Sequence, residues 1–127
     1  MVIVNGVGYD PWASEMLAAS SGNRTVLNVG AVLGLKVGDN PHRWYNPLDV
    51  QIVIKTMVSD FSKIDPGDAA YFTQQARHFN TVALKTYNGL IATIKTKYSG
   101  TPVGASEPIF SMLAPSLGLN LITPYSF

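Results

Sequence analysis

The spacing of apolar residues changes several times along this chain, and each change marks an element. Val2-Ile3-Val4 is a short apolar run closed by Gly6, which predicts a strand. Asp10-Pro11 then marks a helix start, with proline at the first helical position and aspartate as the cap. That helix runs to about Ser20 and stops at Ser21-Gly22-Asn23. Thr25 to Val29 is a second β-type run, after which Gly30, Gly34 and Gly38 punctuate a loop. Asn46-Pro47 repeats the cap-plus-proline start, with Asp49 in the first turn, where the helix dipole favours negative charge. Val50, Val53, Ile54, Met57, Val58 and Phe61 follow at helical spacing. Asp65-Pro66 restarts the pattern, and Phe72, Ala76, Phe79, Ala83, Tyr87, Leu90 and Ile94 form one stripe. Only Gly89 interrupts it, at a cost of about 1 kcal/mol against alanine. A helix from Pro66 to Tyr98 spans roughly 50 Å, a length that bridges two bodies or pairs with a partner. Pro102 to Ala105 predicts a strand, and Ser106-Glu107-Pro108 a turn into a helix reaching about Leu117. Gly118 ends that helix, and Leu119 to Pro124 is the last strand.

The order is β-α-β, two helices, then β-α-β, which argues an α/β fold with parallel strands. At 127 residues the chain holds one domain's worth of material. Both ends nevertheless read as abrupt, a strand starting at residue 2 and another closing just before the last residues. The expectation is a piece of a larger protein. Hydrophobic residues make up 46% and charged residues 13%, enough apolar material to bury a core. The net charge is +1 with no basic stripe, which argues against nucleic acid as a partner. There are no cysteines, so disulfides and thiolate metal sites are excluded. No apolar run approaches the ~18 residues of a membrane span, and the start lacks the pattern of an export signal.

One of the two histidines sits in Asn40-Pro41-His42-Arg43-Trp44, a Pro-flanked loop just before a helix start. Such a loop fixes the backbone and leaves the imidazole to meet a ligand, and imidazole is a common donor to zinc and related ions. Trp44 and Tyr45 are placed to pack beneath the ring. Glu107 is the second candidate, at the carboxyl end of a predicted strand, the edge at which open parallel sheets bind ligands. A carboxylate there either coordinates a metal or caps the following helix. Asp10 reads as a cap with a supporting role near the site as the lesser option. Asp39 is a loop acid placed either to bond the histidine or to face solvent. His78, inside the long helix, reads as a surface or interlobe residue. The phosphate loop, the Gly-x-Ser-x-Gly elbow and the His-Glu-x-x-His motif are all missing, so the residues point to no enzyme.

These features resemble the zinc and manganese solute-binding receptors of bacterial ABC transporters. The resemblance is carried by residues 5–12 (Asn-Gly-Val-Gly-Tyr-Asp-Pro-Trp), by Asn40 to Trp44 with Pro47 behind it, and by residues 104–110 (Gly-Ala-Ser-Glu-Pro-Ile-Phe) leading to Leu117-Gly118-Leu119. The ending Thr123-Pro124-Tyr125-Ser126-Phe127 also fits, so the match covers essentially the whole chain. It implies two α/β lobes joined by a long stiff helix, with the metal between them. Residues 1–64 would be the end of the first lobe, 65–99 the connecting helix and 100–127 the start of the second lobe. His42 matches the histidine ligand of the motif, and Glu107 falls where the family places a histidine or glutamate ligand. The cargo would be zinc or manganese, and delivery would be to a membrane permease. The parent would be periplasmic or held outside the cell by a lipid anchor. On the same pattern the first histidine ligand precedes residue 1 and the last acidic ligand follows residue 127. Two donors do not close a four-ligand site, so this chain alone should bind metal weakly or not at all. Uncovered strand edges should favour self-association. Two further classes compete: a metal-dependent hydrolase with His42 as ligand and Glu107 as general base, and a helical self-association module in which the histidine is incidental.

Overall fold

The computed structural model describes residues 1–124; Tyr125, Ser126 and Phe127, the end of the expected last strand motif, lie outside the described residues. The chain divides into two compact units, one of Met1–Pro41 with Gln51–Thr73, the other of His42–Val50 with the residues from Gln74 onward. The breaks between these units fall at 41/42, 50/51 and 73/74.

In the first unit, β1 (Val2–Val4) runs parallel to β2 (Val26–Asn28), with Val2 opposite Val26 and Val4 opposite Asn28. The apolar run sends Val4 and Leu27 inward, where they are buried with Ala13 of α1 (Pro11–Ala19). Ile3 faces out and is exposed, the alternation a half-covered strand requires. A short helix, α2 (Val29–Val32), follows β2 where the glycines had predicted only loop. Its first turn is closed by the Asn28 side chain, which accepts from the Ala31 N–H at 3.0 Å. Two later pieces of the chain complete this unit. Phe61 of α3 (Pro47–Ile64) and Phe72 of α4 (Ala69–His78) stack with ring centroids 5.4 Å apart. A 3-10 turn, Pro66–Asp68, joins the two helices.

In the second unit, β3 (Pro102–Val103) runs parallel to β4 (Asn120–Leu121), with Pro102 opposite Asn120. Between them lie a 3-10 turn, Phe110–Met112, and α6 (Ala114–Leu117), whose Ala114 and Leu117 are buried. α6 packs on α5 (Lys85–Tyr98). Gly118 ends α6 in the left-handed region at φ 68°, and its carbonyl accepts from the Gly100 N–H at 2.8 Å. Both halves are thus β-α-β with parallel strands, the α/β layout that the alternation predicted.

The expected long helix is helical from Pro66 to Tyr98, with Leu84 as a junction, and it contains a π turn at Phe79–Ala83. The Leu84 N–H bonds the Phe79 carbonyl five residues back, at 2.9 Å. That wider turn moves the inward face by one residue. Phe72 and Ala76 are half-buried as the stripe required, but Asn80 and Leu84 follow them inward. Phe79 and Ala83, expected in the stripe, are exposed, and so are Tyr87 and Leu90. Among the described residues no helix is long and apolar enough to cross a membrane.

Candidate functional site

The Asn40-Pro41 pair leads directly into a 3-10 turn, Arg43–Tyr45, with His42 at its N-terminal boundary. Proline fixes the entry to the turn, and the His42 carbonyl closes it by accepting from the Tyr45 N–H at 3.2 Å. The imidazole is half-buried and meets the Trp44 ring edge-on, with centroids 5.3 Å apart and an interplanar angle of 66°. Trp44 therefore does restrict the ring, as the motif suggested. Tyr45 lies against Trp44, with centroids 6.1 Å apart.

Arg43 anchors this turn from below. Its Nε donates to Asp49 Oδ2 at 2.7 Å, and a terminal nitrogen reaches the same oxygen at 2.7 Å. Its other terminal nitrogen donates to the Met112 Sδ at 3.2 Å. Asp49 lies in the first turn of α3, as expected, and is buried at 8% exposure. It compensates the guanidinium, and a charge this buried is stable only when so paired. The turn carrying Arg43–Tyr45 packs on the turn Phe110–Met112.

Glu107 lies four residues past the end of β3, in a bend before the Phe110–Met112 turn, and is exposed. It is not in a helical first turn and caps no helix, since proline and an intervening turn delay the helix until Ala114. Its side chain lines a cavity of about 380 Å³ together with Ser111, Pro115, Leu119 and Leu121. Ala105 and Thr123, just beyond the parallel pair, also line it, and Thr123 Oγ1 accepts from the Ala105 N–H at 2.7 Å. His42 and Glu107 belong to the same compact unit. Among the described residues no group of three or more His, Asp or Glu side chains is assembled to hold a metal ion.

The other candidates serve the backbone. Asp10 does hold the N-cap position of α1, but its side chain makes no capping hydrogen bond there. Its carboxylate turns back to accept from the Asn5 N–H at 2.7 Å and the Gly6 N–H at 2.9 Å, clamping the loop that leaves β1. That loop holds Gly6, Val7 and Gly8 all at positive φ, and a β-branched residue at φ 58° is uncommon enough to need such support. Asp39 accepts from the Lys36 N–H at 2.8 Å and closes a loop turn. His78 ends α4 and is exposed, as a surface histidine should be. Sequence reasoning missed Arg43 and Met112. They are 69 residues apart, and the only local signal was an acidic residue six positions after the arginine.

Over residues 1–127 the sequence matches the family described as zinc-uptake complex component A, periplasmic. The chain belongs to the ZnuA family. No curated protein matches it. Among solved structures, the chain is similar to the solute-binding protein FpvC from Pseudomonas aeruginosa in complex with Mn2+, at 24% identity and TM-score 0.77, covering 96% of this chain and 47% of that one. It is also similar to the metal-dependent lipoprotein YcdH from Bacillus subtilis, at 20% identity and TM-score 0.74, covering 95% and 46%. A Cd-bound periplasmic metal-binding protein from Candidatus Liberibacter asiaticus matches at 18% identity and TM-score 0.72, covering 95% and 48%. The chain thus spans about half the length of these proteins and shares their fold over that span.

Proposed function

We propose that this chain is part of the solute-binding receptor of a bacterial ABC importer for a divalent transition metal, zinc or manganese, with His42 and Glu107 among the metal ligands. In this reading residues 1–64 belong to the first lobe, 65–99 connect the lobes and 100–127 begin the second. The receptor acts outside the cytoplasmic membrane, in the periplasm or on a lipid anchor, and hands its cargo to a membrane permease. It binds and releases an ion and catalyses no reaction. The observation that carries the ligand pairing is that His42 and Glu107 fall in one compact unit, with the turn after His42 packed on the turn after Glu107. An imidazole with a restrained ring and an exposed carboxylate offer one nitrogen and one oxygen donor, a set that suits zinc and manganese alike. Two such donors leave a four-ligand site half-built, so binding by this chain alone is weak. Two of the similar structures, one in complex with Mn2+ and one Cd-bound, support the cargo class. Exposed Phe79, Val82 and Leu90 support self-association of the isolated chain.

Weak binding is best read by paramagnetic broadening. Substoichiometric Mn2+ is titrated into the isotope-labelled chain while the His42 ring and Glu107 backbone signals are followed. Both signals should broaden first, and His42→Ala should abolish the effect at Glu107. Broadening confined to other carboxylates, or unchanged at Glu107 in the His42→Ala protein, overturns the ligand assignment.

A further inference from the structure

Within the second unit, Arg43 links Asp49, on its own segment, to Met112, beyond Glu107 in the chain. It follows His42 directly, so its position governs the turn from which the imidazole projects. One edge of the guanidinium is committed to Asp49 through two nitrogens on a single oxygen. The remaining edge reaches Met112, in the 3-10 turn that follows Glu107. The arginine side chain is 21% exposed and the aspartate side chain 11%, so water competes poorly for either. In such surroundings a planar fork with fixed donor directions holds geometry that a flexible ammonium does not. A guanidinium has no acceptor to offer a cation, and Arg43 points its charge at Asp49, so it serves as a brace.

We infer that Arg43 is a positioning residue for metal binding: its clamp on Asp49 and Met112 holds the His42 turn in register with the turn that follows Glu107. The inference rests on the reading of His42 and Glu107 as ligands. Ligand side chains must be held within about 0.5 Å of the productive geometry for donors to act together. A brace removed from beneath one donor leaves both donors present but no longer aligned.

Arg43→Met alone strands a buried carboxylate and risks unfolding. The test therefore centres on the double variant Arg43→Met/Asp49→Asn, which removes both charges, with Arg43→Lys as the conservative comparison. Each is titrated with Mn2+ and with Zn2+ as the bare ions, and broadening at the His42 ring and at Glu107 is fitted separately. Urea unfolding of the same samples supplies the folded fraction. The double variant should stay folded while its Mn2+ affinity falls about tenfold, the range seen when groups supporting a ligand are removed. Broadening at His42 and at Glu107 should then titrate with different midpoints, whereas in the wild type they share one. Arg43→Lys should restore the charge without restoring the shared midpoint. A brace that served only stability would lower the folded fraction and leave the midpoints together, and that result overturns the inference. Wild-type protein showing no broadening at either residue instead overturns the ligand reading itself, and this inference with it.

Discussion

Replacing Asp10 separates two roles that a carboxylate before a helix can play. As a cap it would serve α1, and serine, among the best capping residues, would replace it at a cost of a few tenths of a kcal/mol. In the structure it serves the loop after β1 instead, accepting from Asn5 at 2.7 Å and Gly6 at 2.9 Å. Hydrogen bonds to a charged group contribute a net ~1.5–3 kcal/mol each, and Asp10 is only half-buried, so the lower value applies. Two bonds at that value, reduced because water reaches the freed N–H groups, give about 2 kcal/mol for Asp10→Ala. Asp10→Asn keeps one acceptor oxygen and should lose about 1 kcal/mol. Asp10→Ser is the deciding variant. Its single short hydroxyl does not span both N–H groups, so it should lose nearly as much as alanine. Urea unfolding followed by circular dichroism reads all three. With a slope of roughly 2 kcal/mol per molar urea, the alanine protein should unfold about 1 M earlier. A serine variant within about 0.5 kcal/mol of the wild type would restore the capping role and refute the clamp.

Gly89→Ala should raise the melting temperature: the position is exposed in α5, a methyl group there meets nothing within 4 Å, and alanine is favoured by about 1 kcal/mol in a helix interior. An unchanged or lower midpoint in a calorimetric melt would show that the segment is not held as a helix in solution. Gly30→Ala should destabilise by about 2 kcal/mol, because the new methyl collides with the Val7 side chain and lies 3.3 Å from the Asn5 carbonyl oxygen. Val7→Gly removes that obstacle and the left-handed strain at φ 58° together, so the double variant should recover part of the loss. Strictly additive effects in urea unfolding would show that the two residues do not touch.

Apolar periodicity predicted the two strands of each pair and the starts of α1 and α3, because those features depend on neighbours along the chain. Asp10-Pro11 and Asn46-Pro47 mark helix starts wherever they occur. The π turn left no such mark: Phe79 and Ala83 have helical spacing in the sequence, yet one wide turn hands the inward face to Asn80 and Leu84. Nor did Glu107 declare its distance from a helix, since proline after it fits a turn as well as a first helical position.

What the residues determined alone was the α/β order, the His42 loop and its aromatic neighbour, all consequences of backbone restriction within a few positions. Tertiary structure decided which of the acids serve the loops and which serve a charge. Asp10 reaches back five residues to clamp a strained turn, and Asp49 is buried against Arg43. It also decided that Arg43 would meet Met112 across 69 residues. Side-chain type and spacing carry no record of such encounters. They follow from which surfaces the folded chain presses together, and there a carboxylate's partner is set by distance and by the exclusion of water.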